Sequence, residues 1–159
     1  MKACIKLIAL GMGGFILSQC AQPEEERVES VDPVVEEKKE KKNEEVISQY
    51  RALEIPIEKV FEMQQGGQAF LLDTRPPIFF NLGHIEGAHS LPLKTFDKSY
   101  QESKGVLDTA KSSGKVIVIY CQSEKCKDSF VMASKLHNRG YNVRVFKGGW
   151  ELWKMSGLN

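Results

Sequence analysis

The sequence is short of cysteine, of net charge and of long apolar runs, and each shortage excludes something. Its four cysteines, Cys4, Cys20, Cys121 and Cys126, match neither the paired spacing of a zinc knuckle nor the density of a disulfide-built scaffold. The formal net charge is only +1, with ten acidic and five basic side chains over 21–48 against eleven acidic and fifteen basic over 49–159. An excess of four cations in the second stretch helps an anionic small molecule but falls short of the basic stripe that nucleic acid requires, so nucleic acid is set aside as a partner. The N-terminal apolar run from Ile5 to Leu17 is too short for a comfortable membrane span.

Preceded and interrupted by Lys2 and Lys6, that run instead has the form of a signal-peptide core and predicts export. It ends in Leu17-Ser18-Gln19-Cys20, which resembles the lipobox of bacterial lipoproteins except that Gln19 replaces a small residue. The resemblance implies a signal peptide over 1–19, a lipidated Cys20, and a membrane-anchored protein of the bacterial cell envelope facing the periplasm. From Ala21 to about Glu45 the sequence is rich in Glu, Lys, Val and Pro, without aromatic residues or a sustained apolar face. Such a stretch cannot bury enough surface to offset chain entropy, so 20–48 is expected to be a charged, disordered tether, with transient helix over Glu36 to Glu45.

Order is expected from 49 to 159, enough for one domain. A helical pattern after Ile55-Pro56-Ile57 turns Val60, Phe61 and Met63 inward and stops at Gly66-Gly67. Short apolar runs at Ala69 to Leu72, Ser90-Leu91, Val116 to Tyr120 and Val143 to Phe146 read as strands, with Thr74-Arg75-Pro76-Pro77 breaking the first. Helical patterns separate them over Phe96 to Ala110 and over Asp128 to Arg139, the latter with Phe130, Val131, Met132, Ala133 and Leu136 inward. Gly148-Gly149 then opens a short helix carrying Trp150, Leu152 and Trp153. The alternation predicts an α/β fold, a central mostly parallel sheet with helices on both faces and ligands at the C-terminal strand ends.

One such end is Tyr120-Cys121. A strand, a polar loop (Gln122, Ser123, Glu124, Lys125, Cys126, Lys127) and a helix start aim backbone N–H groups and a positive helix dipole at the cysteine sulfur. Together with Lys125 and Lys127, that field lowers a thiol pKa and favours an anion, which makes Cys121 the candidate nucleophile. A small buried core residue is the competing explanation, and a polar loop at a strand end is a poor place for one.

Three separated stretches resemble the rhodanese domains. Asp73-Thr74-Arg75 with Gly83-His84-Ile85-Glu86-Gly87-Ala88-His89 and Leu91-Pro92 looks like that family's turn signature. The strand into Tyr120-Cys121 resembles its catalytic loop, and Val145-Phe146-Lys147-Gly148-Gly149-Trp150 with Trp153 is similar to its C-terminal element. The resemblance implies a rhodanese-like three-layer fold and a sulfurtransferase that carries sulfur as a Cys121 persulfide. A small anionic donor such as thiosulfate and a thiol or cyanide-like acceptor are its implied partners, with no cofactor and no metal. It also implies that Asp73, Arg75 and His84 support the site structurally. His84 and His89 lack a matching third ligand for a metal, and Trp150 and Trp153 read as core or pocket wall.

The loop departs from the family. It is longer before the Ala133 and Leu136 helix repeat, it lacks the usual glycine and arginine, and Phe79 stands where many members carry an acid that would pair with Arg75. Five residues separate Cys121 from Lys127, similar to the loop of the related cell-cycle phosphatases, but lysine cannot present arginine's planar fork to an oxyanion. Phosphatase or arsenate-reductase chemistry is the weaker reading for that reason. Cys126 reads as a resolving thiol for Cys121, a stabilising disulfide partner or a passive loop residue. Two other function classes stand beside sulfur transfer: an envelope thiol–disulfide or persulfide redox protein using both cysteines, and a non-catalytic binding module.

Overall fold

Four short strands form a wholly parallel sheet ordered β2–β1–β3–β4, with β1 at Ala69–Asp73, β2 at His89–Ser90 (one residue before the expected Ser90-Leu91), β3 at Val116–Tyr120 and β4 at Val143–Phe146. The computed structural model describes residues 33–158. The expected signal peptide, Cys20 and the tether as far as Asp32 lie outside the described residues. Among the described residues, no helix is long and apolar enough to cross a membrane.

Period-two alternation sorts the strand side chains into two cores. Leu72, Ile117, Ile119, Val143 and Val145 pack with Phe96, Tyr100 and Leu107 of α4 (Phe96–Ser112) and with Phe130, Met132, Ala133 and Leu136 of α5 (Asp128–His137). On the other face, Leu71, Val118, Tyr120 and Phe146 pack with Val60 and Met63 of α2 (Ile57–Gln65) and with Trp153 of α6 (Gly149–Met155). Burial on both faces is why β1 and β3 read as nearly continuous apolar runs, and it produces the three layers that the sequence predicts.

Three details differ from expectation. Helix α1 runs from Pro33 to Tyr50 and so occupies the second half of the expected tether. Glu and Lys are good helix formers, but a surface is needed to hold the helix in place. Val46 and Ile47 pack against the first core, and Tyr50 is buried with its ring edge-on to His137 at 5.6 Å and its hydroxyl donating to Asn138 Oδ1 at 3.3 Å. Pro76-Pro77, which reads as a break, starts a short helix α3 (Pro77–Leu82), because proline at the first helical position has no amide to satisfy. Phe61 of α2 is 39% exposed rather than core, with its ring centroid 6.3 Å from that of Trp153; Val131 is likewise only half-buried.

Candidate active site

Strand β3 ends at Tyr120 and delivers Cys121, 4% exposed, to the loop that leads into α5. Two amides from the start of α6 pin the chain there: Trp150 N–H donates to the Cys121 carbonyl and Glu151 N–H to the Gln122 carbonyl, both at 2.9 Å. Gly149, at φ 65°, makes this approach feasible. A Cβ on it would stand 2.5 Å from the Cys121 carbonyl oxygen and 2.8 Å from the Gln122 carbonyl carbon. Inside the loop, Cys126 N–H donates to the Ser123 carbonyl at 3.0 Å, and Cys121 and Cys126 form a disulfide with Cα atoms 6.2 Å apart.

The buried pair Asp73 and Arg75 supports the loop from the neighbouring strand end. Arg75 Nε lies 3.0 Å from both Asp73 carboxylate oxygens, and Nη2 donates to Asp73 Oδ2 at 2.6 Å and to the Gly83 carbonyl at 2.7 Å. Nη1 donates to Gln122 Oε1 at 2.9 Å. Every nitrogen of the guanidinium therefore has a protein acceptor, which answers the missing acid at Phe79. Gln122 is held on its other side by donating through Nε2 to Glu151 Oε1 at 3.2 Å. The guanidinium carbon also lies 5.5 Å from the Trp150 ring centroid, a cation–π distance.

Beneath the pair, the Tyr120 hydroxyl accepts from Ile85 N–H at 3.2 Å. Burial, reinforced by the Asp73 charge, pushes the Tyr120 phenol well above its ordinary pKa, so it stays protonated. His84 lies outside this network. It is exposed, stacked on Phe80 with ring centroids 3.8 Å apart, and its Nδ1 lies 3.0 Å from the Phe80 carbonyl. Its connection to the loop runs through the adjacent Gly83 carbonyl that Arg75 takes.

The loop charges are distributed in a way the sequence does not reveal. Lys127 lies 3.7 Å from Glu44 of α1, and Glu124 lies 3.3 Å from Lys147. Ser123 is half-buried, Lys125 is exposed, and an open cleft of about 740 Å³ beside them is lined by Ser123, Glu124, Lys125, Lys147, Gly148 and Leu152, among others. Asp128, which the sequence marks only as a helix start, stands beside the two cysteines. Its carboxylate and the two cysteine sulfurs lie within 4.8 Å of one another, a set able to hold a thiophilic metal only when both sulfurs are thiolates.

A sequence model of the Rhodanese-like domain matches residues 57–156. The chain belongs to the rhodanese-like family. An uncharacterized protein of Synechocystis is 30% identical over 98 residues, covering 61% of this chain and 49% of that protein. The centrosomal protein of 41 kDa of Danio rerio is 32% identical over 81 residues, covering 50% and 21%. The chain thus spans about half the length of the first relative and about a fifth of the second. Among solved structures, a Lactobacillus plantarum protein superposes with TM-score 0.53 at 25% identity, over 74% of this chain and 94% of that one. The human single-domain sulfurtransferase TSTD1 superposes with TM-score 0.53 at 20% identity, over 65% and 96%, a likeness of fold. In the rhodanese-like frame, the Asp73-Thr74-Arg75 turn, the Gly83 to His89 turn and the Gly148-Gly149 turn converge on the Cys121 loop from three separate parts of the chain.

Proposed function

We propose that the protein is a sulfurtransferase that, once its disulfide is reduced, carries sulfane sulfur as a persulfide on Cys121. The observation that supports this most is the placement of Cys121: the end of the central strand, in a loop fixed by Arg75 through Gln122 and by the Trp150 and Glu151 amides. A thiolate there attacks the outer sulfur of a donor such as thiosulfate, the donor's S–S bond breaks, and sulfite leaves with the bonding pair. A thiol or cyanide then takes the outer sulfur and restores the thiolate. The mildly basic domain favours a small anionic donor.

A second reading, an envelope redox protein exchanging thiols and disulfides, is supported by the Cys121–Cys126 bond. Oxyanion chemistry of the phosphatase type has less support, because Lys127 has no planar fork to offer an oxyanion. The signal-peptide-like run from Ile5 to Leu17 and the lipobox-like Cys20 support attachment to a bacterial envelope membrane on its periplasmic side. The deciding experiment is intact-mass analysis of reduced protein after thiosulfate, mercaptopyruvate or polysulfide. Cys121 should gain one sulfur, lost again to cyanide, and Cys121→Ser should gain none. A wild-type chain that takes sulfur from none of these donors is not a sulfurtransferase. For the anchor, Cys20→Ala should move the protein out of the membrane fraction of an expressing bacterium.

A further inference from the structure

We propose that Cys126 is a built-in resolving group that turns the Cys121 persulfide into free sulfide, giving the domain a sulfide-releasing activity besides transfer to an outside acceptor. The proposal rests on the sulfurtransferase reading above and adds the fate of the sulfur.

The Cys126 sulfur is bonded to the Cys121 sulfur, and in a persulfide that same Cys121 atom is the inner sulfur. The loop that brings them together is closed by the Cys126 N–H to Ser123 carbonyl bond, and no non-glycine residue among those described has positive φ. Its two ends are fixed, by the α6 amides at Cys121 and Gln122 and by the start of α5 after Lys127. An attack by Cys126 is therefore intramolecular and already oriented, the situation in which effective concentrations are highest. With the disulfide formed, Cys121 is almost wholly covered and Cys126 is half-buried, and the Cys126 sulfur is within direct bonding reach of the inner sulfur.

The choice of sulfur follows from geometry and leaving-group chemistry. Attack at the inner sulfur forms the disulfide that the loop accommodates and breaks the bond to the outer sulfur, which leaves as hydrosulfide with the bonding pair. Hydrosulfide is a weaker base than an alkyl thiolate, which makes it the better leaving group. The Cys126 proton is lost when its thiolate forms and is recovered by the sulfide. For thiosulfate the balance is one thiosulfate and two protein thiols giving one sulfite, one hydrogen sulfide and one disulfide. The sulfane sulfur is reduced and the cysteine pair oxidised, so further turnovers need an external dithiol reductant.

The test is an anaerobic single turnover of pre-reduced protein, freed of reductant, with excess thiosulfate, repeated with an arenethiosulfonate, which releases a sulfinate in place of sulfite. Sulfite or sulfinate release reads sulfur uptake, sulfide release reads the Cys126 step, and intact mass with thiol alkylation reads the cysteines. The expected result for wild type is one sulfide per chain, both cysteines protected from alkylation and no persistent persulfide. Cys126→Ser and Cys126→Ala should stop at a persulfide on Cys121 without sulfide. Sulfite or sulfinate release without sulfide, with the persulfide retained and Cys126 alkylated, overturns the inference and leaves the sulfurtransferase reading standing. Neither product from wild type with either donor overturns both.

Discussion

Arg75 and Gln122, forty-seven positions apart in sequence, are joined by a 2.9 Å hydrogen bond from Nη1 to Oε1. This bond ties the end of β1 to the residue following the candidate nucleophile. Because Asp73 holds the rest of the fork, the guanidinium acts here as a rigid bracket and not as a receptor for substrate charge.

Removing the bracket should cost both stability and activity. Arg75→Ala leaves the wholly buried Asp73 carboxylate without its cation, a loss on the order of 3–5 kcal/mol. Arg75→Lys keeps the charge but cannot serve Asp73, Gly83 and Gln122 from one plane, so it should recover part of the stability while loading of Cys121 stays slow. Urea denaturation and the rate of sulfur uptake read the two effects. Wild-type values for both in the lysine variant would remove the role assigned to the fork.

Helix α1 should be held by apolar contact and not by charge. The Glu44–Lys127 pair is largely exposed, with side chains 69% and 44% accessible, and pairs of that kind contribute roughly 0–1 kcal/mol. Glu44→Gln should therefore leave the denaturation midpoint almost unchanged. Tyr50→Ala removes a buried aromatic side chain at the helix end, a change that costs about 3 kcal/mol for large aromatic residues. It should also speed amide exchange along α1, and equal effects of the two substitutions would contradict this ordering.

Acid sensitivity should come in part from His89. Burial lowers its pKa, and its Nε2 lies 2.9 Å from Ser103 Oγ, with the Phe70 ring centroid 5.9 Å away. As pH falls below the unfolded value of about 6.5, the unfolded chain binds this proton before the folded one does. Stability contributed by His89 is thus present above that pH and is lost as pH falls towards the lower folded pKa. His89→Gln should flatten the decline between about pH 7 and about pH 5, measured as the shift in urea midpoint; an unchanged slope would assign the acid sensitivity elsewhere.

The parts of this architecture that are readable from sequence are those set by local pattern. Val143 to Phe146 is a strand because its apolar run is bounded by Gly140 and Gly148, and Cys121 is placed because a β-branched run stops just before it. The parts that escape depend on contacts distant in sequence. Val46, Ile47 and Tyr50 form only a short apolar patch at the end of a charged run, and they acquire a surface only when α5 is folded beside them. The acceptor set of Arg75 is hidden for the same reason: Gln122 and the Gly83 carbonyl carry no pattern that announces them. Asp128 reads as the start of a helix, and its proximity to both sulfurs emerges only once the loop is folded.

Gly149 and Gly67 provide a controlled comparison of backbone strain and crowding at the site. Both have φ 65°, but a Cβ on Gly67 meets nothing within 4 Å, whereas one on Gly149 meets the Cys121 carbonyl oxygen at 2.5 Å. Gly67→Ala should cost only the left-handed conformation, on the order of 1 kcal/mol, and should leave sulfur uptake at the wild-type rate. Gly149→Ala incurs the same conformational cost and must also push back the backbone that carries Cys121 and Gln122, loosening the Trp150 and Glu151 amide bonds. It should therefore be the less stable of the two by at least about 1 kcal/mol and load sulfur several-fold more slowly. If Gly149→Ala loads Cys121 as fast as Gly67→Ala, the close approach of α6 does not position the nucleophile, and the bracket at Arg75 alone must suffice.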